Sequence, residues 1–136
     1  MKMILLLIGL FTSLSTLKAQ SAEETLEWLK VKKDEIYTYQ SHSCNFPSYQ
    51  DKVINFSTTA IIFKKGDYDV QGYWKYIKEV KEDRDYIRIV YDWNCAADPL
   101  YQAIHLPSDE VRKKFIRALK HMATLKGAKL IDSDLF

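Results

Sequence analysis

Apolar residues recur along this chain at several distinct periods, and each period predicts a different element. Ala22, Leu26, Leu29 and Ile36 fall at helical spacing, with Trp28 beside them. Ser21-Ala22-Glu23-Glu24 has the form of a capping box, in which a serine hydroxyl accepts from the backbone three residues on. Lys30, Lys32 and Lys33 place positive charge where the helix dipole favours it. The pattern predicts a helix over about residues 22–33.

The middle of the chain changes to strand-like patterning. Ile36-Tyr37-Thr38-Tyr39 is rich in β-formers and predicts a short strand. Residues 41–52 hold Ser, Asn, Pro47 and Asp51 and predict a loop. Residues 53–63 are dense in β-branched and aromatic side chains. They run into Lys64-Lys65-Gly66-Asp67, a turn that predicts a hairpin with residues 68–77 as its second arm. Gly72, inside that arm, suggests a bulge. Residues 79–85 are charged and predict a connection. In residues 86–93, Ile87, Ile89, Tyr91 and Trp93 alternate with Arg88 and Asp92, which predicts a strand with one apolar face. Residues 94–99 predict a turn, and residues 100–106 a last strand with Leu100, Ile104 and Leu106 inward.

Helical spacing then returns. Ser108 is a good N-cap, followed by Asp109 and Glu110 at the positive end of the dipole. Val111, Phe115, Ala118, Leu119 and Met122 form a continuous apolar stripe, and Gly127 is a natural stop. The tail, residues 129–136, offers Ile131 or Phe136 to pack back on the body. The predicted order is helix, five antiparallel strands, helix. This is an α+β domain whose sheet, a meander or a partly open barrel, buries one face against the amphipathic C-terminal helix.

The first twenty residues follow none of these periods. Lys2 precedes the unbroken apolar run at residues 4–11, a more polar exit follows, and Ala19 is a small residue at a plausible cleavage site. That is the layout of a secretory signal peptide, and the run is too short for a membrane span, which takes roughly 20 residues. The expectation is an exported protein, periplasmic or secreted, with residues 1–20 as signal and residues 21–136 as a single domain.

Export changes how charge and cysteines are read. The chain has 20 basic and 18 acidic residues; without Lys2 and Lys18 the balance is 18 against 18. A neutral mature chain gives no general electrostatic case for nucleic acid or for an anionic membrane. With 47% hydrophobic and 13% aromatic residues there is enough apolar matter to fill a core. Cys44 and Cys95 are the only cysteines, and in an oxidising compartment such a pair favours a disulfide. The loop of about fifty residues is worth about 4 kcal/mol in the chain-entropy account.

The element order and two sequence stretches carry a resemblance. Thr25-Leu26-Glu27-Trp28-Leu29 ahead of the strands, and residues 115–123 followed by Leu125-Lys126-Gly127-Ala128, resemble small exported bacterial proteins of unknown function. The β-meander with one C-terminal helix resembles the pleckstrin-homology-like architecture. The resemblance rests on core positions and brings no catalytic residues with it.

Candidate chemistry is sparse. His42, Cys44 and Cys95 could supply three ligands to zinc, but a structural zinc usually takes four from closely paired sets. A Cys–His nucleophile needs a free thiolate, which a second cysteine in an exported chain argues against. His105 and His121 stand singly. Glu82, Asp83 and Asp85 are interleaved with Lys81 and Arg84 and read as a solvated turn. Arg112, Lys113, Lys114, Arg117, Lys120, His121 and Lys126 read as the solvated side of the last helix, with an acidic partner as the alternative.

The aromatic strands are more informative. Tyr68, Tyr73, Trp74, Tyr76, Tyr86, Tyr91, Trp93 and Tyr101 exceed what one helix-covered sheet face requires, and exposed aromatic patches mark binding surfaces. The sequence therefore predicts a non-catalytic binding module without cofactor or metal. It would recognise a protein or an apolar ligand through Tyr73, Trp74, Tyr76, Tyr91 and Trp93. The alternatives are a small exported hydrolase or metal-dependent enzyme using His42, Cys44 or His105, and an envelope-associated structural domain.

Overall fold

A computed structural model describes residues 21–43, 46–51, 54–65, 68–95 and 98–131. The expected signal segment, Cys44, the Gly66-Asp67 turn and Phe136 lie outside the described residues. Helix α1 (Ala22–Lys32) is followed by a 3-10 turn (Lys33–Glu35). The strands are β1 (Thr38–Ser43), β2 (Phe46–Asp51), β3 (Ile54–Phe56), β4 (Ala60–Lys65) and β5 (Tyr68–Tyr73). After a second 3-10 turn (Trp74–Tyr76) come β6 (Ile77–Asp83), β7 (Tyr86–Cys95) and β8 (Asp98–His105). Helix α2 (Asp109–Leu125) follows. The protein is α+β, and every recorded strand pairing is antiparallel.

The strands form two sheets, β2-β1-β8-β7-β6 and β3-β4-β5. Each strand lies beside its sequence neighbour, and β8 returns to β1, with Thr38 opposite His105. That cyclic order is interrupted between β2 and β3 and between β5 and β6, so the barrel is not closed.

Eight strands among the described residues replace the five expected, for three physical reasons. First, residues 53–63 are not one strand, because hydroxyls reverse the chain at residues 57–59. Ser57 Oγ accepts from the N–H groups of Ala60 (3.0 Å) and Thr59 (3.3 Å), a side-chain-built turn between β3 and β4. Second, residues 79–85 are not a connection. Only Ile77 and Val80 of β6 face the core, a register shift after Ile77 lets both do so, and an edge strand tolerates charge on its other side. Third, the polar stretch 41–52 holds the end of β1 and all of β2, an edge strand where Pro47 costs no central hydrogen bond.

Both helices are capped as their sequences imply. Ser21 Oγ accepts from Glu24 N–H (3.1 Å) and Ser108 Oγ from Val111 N–H (3.4 Å). Helix α2 ends where Gly127 takes a positive φ of 92° and Ala128 N–H reaches Ala123 C=O (2.9 Å), a Schellman-type closure. Phe115, Leu119 and Met122 of α2 are fully buried. Each such side chain contributes roughly 1.5–3 kcal/mol. Trp28 of α1 meets Phe115 edge-on with ring centroids 5.1 Å apart, and Phe56 of β3 lies 6.4 Å from the same ring. The core therefore joins both helices to the smaller sheet.

Arg112 departs from the expected solvated face of α2. Its side chain is only 7% exposed. It donates to Leu106 C=O (2.7 Å), Glu82 (3.0 Å) and Asp109 (2.8 Å), and pins the helix start to the β6–β7 hairpin. The carboxylates Glu82 and Asp85, read as a solvated turn, face this guanidinium. Lys113 and Lys114 pair with Asp109 and Glu110 one turn earlier.

Gly72 marks a close contact between the two sheets. Gly72 of β5 pairs in unbroken register with Ile61, so the expected bulge is not there. The residue is glycine because the Tyr91 ring of β7 lies against its backbone, leaving no room for a Cβ. Tyr91 is fully buried and bonds Gln102 on β8 (2.5 Å).

Candidate binding surface

The expected aromatic surface divides into core and contact residues. Trp74 opens the second 3-10 turn and is completely buried. Its Nε1–H donates to Ser57 C=O (2.8 Å), its backbone N–H to Thr59 C=O (3.1 Å), and its ring stacks over Phe56 at 6.3 Å. Tyr91 is 2% exposed. Neither side chain can meet a partner, which corrects the expectation for both: Ile87, Ile89 and Tyr91 do share a face, and that face is the core. Burial also raises the Tyr91 hydroxyl well above its ordinary pKa, so it stays protonated and serves as a donor to Gln102. The Trp93 side chain lies outside what is described.

Of the five expected contact aromatics, Tyr73 and Tyr76 have exposed side chains. They are 42% and 44% exposed. Tyr73 ends β5 and Tyr76 ends the turn, and their rings meet edge-to-face at 6.0 Å. Lys75 Nζ stands 4.9 Å from the Tyr76 ring, a cation–π contact. Trp74, driven inward between them, fixes the turn that displays both.

Beside this pair lies an open cleft of about 340 Å³. Its walls come from the turn and β6 (Lys75, Ile77, Lys78), from β7 (Asp92), and from the segment after α2 (Gly127, Lys129, Ile131). That segment is held in place by the closure at Gly127 and by Ile131 N–H donating to Lys78 C=O (2.7 Å). Ile131 packs back as expected at the backbone, with its side chain half exposed. Three lysines and one aspartate line the cleft, and among the described residues Lys78 and Lys129 have no ion-pair partner. Lys78, Asp92 and Lys129 carry no sequence motif; they meet only because α2 delivers its trailing segment to β6.

The other candidates are placed differently. His105 is stacked on Tyr86 at 4.7 Å and touched edge-on by Tyr37 at 5.4 Å, an aromatic clamp on the outer side of the large sheet. The backbone of His42 pairs with Tyr101 on β8, and its side chain is not described. Cys95 ends β7 and Ser43 ends β1, and the two strand ends flank the start of β8. Among the described residues no three His, Cys, Asp or Glu side chains gather as a metal-ion group. No helix among them is long and apolar enough to cross a membrane. A smaller hollow of about 170 Å³ lies between the helices, at Trp28, Lys114 and Arg117.

No protein-family model, curated protein or solved structure matches the chain.

Proposed function

We propose that the protein is an exported, non-catalytic binding module whose contact surface is the Tyr73–Tyr76 pair with the adjoining cleft. The observation that carries this reading is the 3-10 turn at residues 74–76. It buries Trp74 completely, leaves Tyr76 and the preceding Tyr73 exposed, and contributes Lys75 to the wall of a cleft. Large aromatic side chains held outward on a rigid turn supply contact area at low entropic cost. Export rests on the layout of residues 1–20, and periplasmic or secreted localisation follows from it. The pleckstrin-homology-like assignment is supported by the cyclic strand order and by the amphipathic helix that follows the last strand.

The test is an amide NMR screen of the purified protein against a fragment library that includes neutral and charged sugars. Shifts clustered on residues 73–78 and 127–131 support the reading. Shifts confined to the groove between the helices, or to the face around His105, refute it. Tyr73→Ala with Tyr76→Ala should abolish the clustered shifts and leave the remaining spectrum unchanged.

A further inference from the structure

Resting on that reading, we propose that the cleft binds a hydroxylated organic acid of the uronic-acid type, a sugar unit bearing a carboxylate. Each wall matches one part of such a ligand. Lys75, Lys78 and Lys129 line one opening, and an ammonium is a point donor suited to a carboxylate oxygen. Lys78 and Lys129 have no ion-pair partner among the described residues, so no internal carboxylate competes for them.

Asp92 is the discriminating residue. A carboxylate among three lysines weakens a site for a bare anion. It becomes useful when the ligand brings hydroxyl donors together with its acid. Ile77 and Ile131 supply apolar surface for the C–H face of a ring. About 340 Å³ falls at the lower end of small-ligand sites and accommodates one sugar unit rather than a long chain. The ligand commits to this class because the lysines select the acid, Asp92 the hydroxyls, and the isoleucines the ring.

The experiment titrates galacturonate, glucuronate and their short oligomers into the full exported domain, with galactose, glucose and acetate as comparisons. The expected result is shifts on residues 75–78, Asp92 and 127–131 for the uronates. Galactose, glucose and acetate should bind at least about tenfold more weakly. Lys78→Gln with Lys129→Gln should weaken uronate binding about tenfold, on the scale of two exposed charge contacts, and added salt should weaken it further. Asp92→Asn should improve acetate binding while lowering the preference for uronate over acetate. These positions are surface ones, so an unchanged unfolding midpoint shows that each variant is folded. Equal binding of acetate and uronate overturns the ligand class. Shifts in the cleft from other fragments, with none from uronates, overturn it too while leaving the binding surface standing. No fragment shifting the cleft at all overturns both readings.

Discussion

Replacing Gly72 by alanine tests the packing of the two sheets against each other. A Cβ built on Gly72 stands 2.9 Å from Tyr91 Cε1, and closer still to Cζ and the hydroxyl oxygen. The ring has nowhere to move, because it is buried and its hydroxyl is tied to Gln102. Two costs therefore add. Forcing a methyl into a filled core costs about 1–3 kcal/mol. Displacing Tyr91 breaks a buried hydrogen bond and strands the Gln102 amide, costing about 1–3 kcal/mol more. The expected loss is about 4 kcal/mol, a large share of the 5–15 kcal/mol typical of a domain. Urea unfolding followed by tryptophan fluorescence reads it directly. Tyr91→Leu removes the atoms that clash, so in that background Gly72→Ala should cost at least about 1 kcal/mol less, a coupling measured by the double-mutant cycle. A loss below about 1 kcal/mol for Gly72→Ala alone, or costs that simply add in the cycle, would refute the contact as the reason for glycine.

Other expectations follow from the same packing. Arg112→Met should cost about 2–3 kcal/mol in urea unfolding, since it leaves Leu106 C=O without its side-chain donor and removes the tie to Glu82. Lys113→Met, removing an exposed pair, should stay within about 1 kcal/mol. Because burial raises the Tyr91 hydroxyl above its ordinary value, the unfolded chain loses this proton above about pH 10 while the folded one keeps it. Stability from this group is thus complete below that pH and falls as pH rises, by about 1.4 kcal/mol per unit; Tyr91→Phe should show the shallower slope between about pH 10 and 11.5. Protein purified without reductant should show an intact mass lower by two hydrogens, with Cys44 bridged to Cys95. Reduction should lower its melting temperature, and free thiols in the isolated protein would refute the bridge.

The amphipathic stripe of α2 was legible because helical spacing and capping residues act locally, and Ser21 and Ser108 both cap as read. The fold class followed from the order of periods. What misled was the assumption that charge means loop. At β6 the edge position keeps Lys81 and Asp83 solvated while Ile77 and Val80 turn inward, so a run of charges is compatible with a strand. The opposite error occurred at residues 53–63, where apolar density hid a reversal built by the Ser57 hydroxyl. Arg112 looked like one more solvated cation, and only the return of the β6–β7 hairpin to the helix start buries it. The cleft was not legible at all, since Lys78, Asp92 and Lys129 lie on three elements and share no spacing.

The aromatic residues show why composition alone cannot locate a surface. Sequence alternation correctly grouped Ile87, Ile89 and Tyr91, but it assigns faces only relative to one another; which face is inside depends on where the second sheet lies. Here the small sheet covers the Tyr91 side, and Gly72 records the closeness of that approach. The turn at residues 74–76 follows a different rule. The step from extended backbone at Tyr73 into the turn brings the Tyr73 and Tyr76 rings together outside and leaves Trp74 facing inward. The indole satisfies its N–H on Ser57 C=O inside the core, so the turn cannot rotate to bury a tyrosine without exposing the tryptophan and breaking that bond. The larger and more apolar ring takes the interior, and the two phenols are left in water as a consequence of the turn's own geometry. The proposed contact surface is therefore held by Trp74, a side chain that was expected to belong to it.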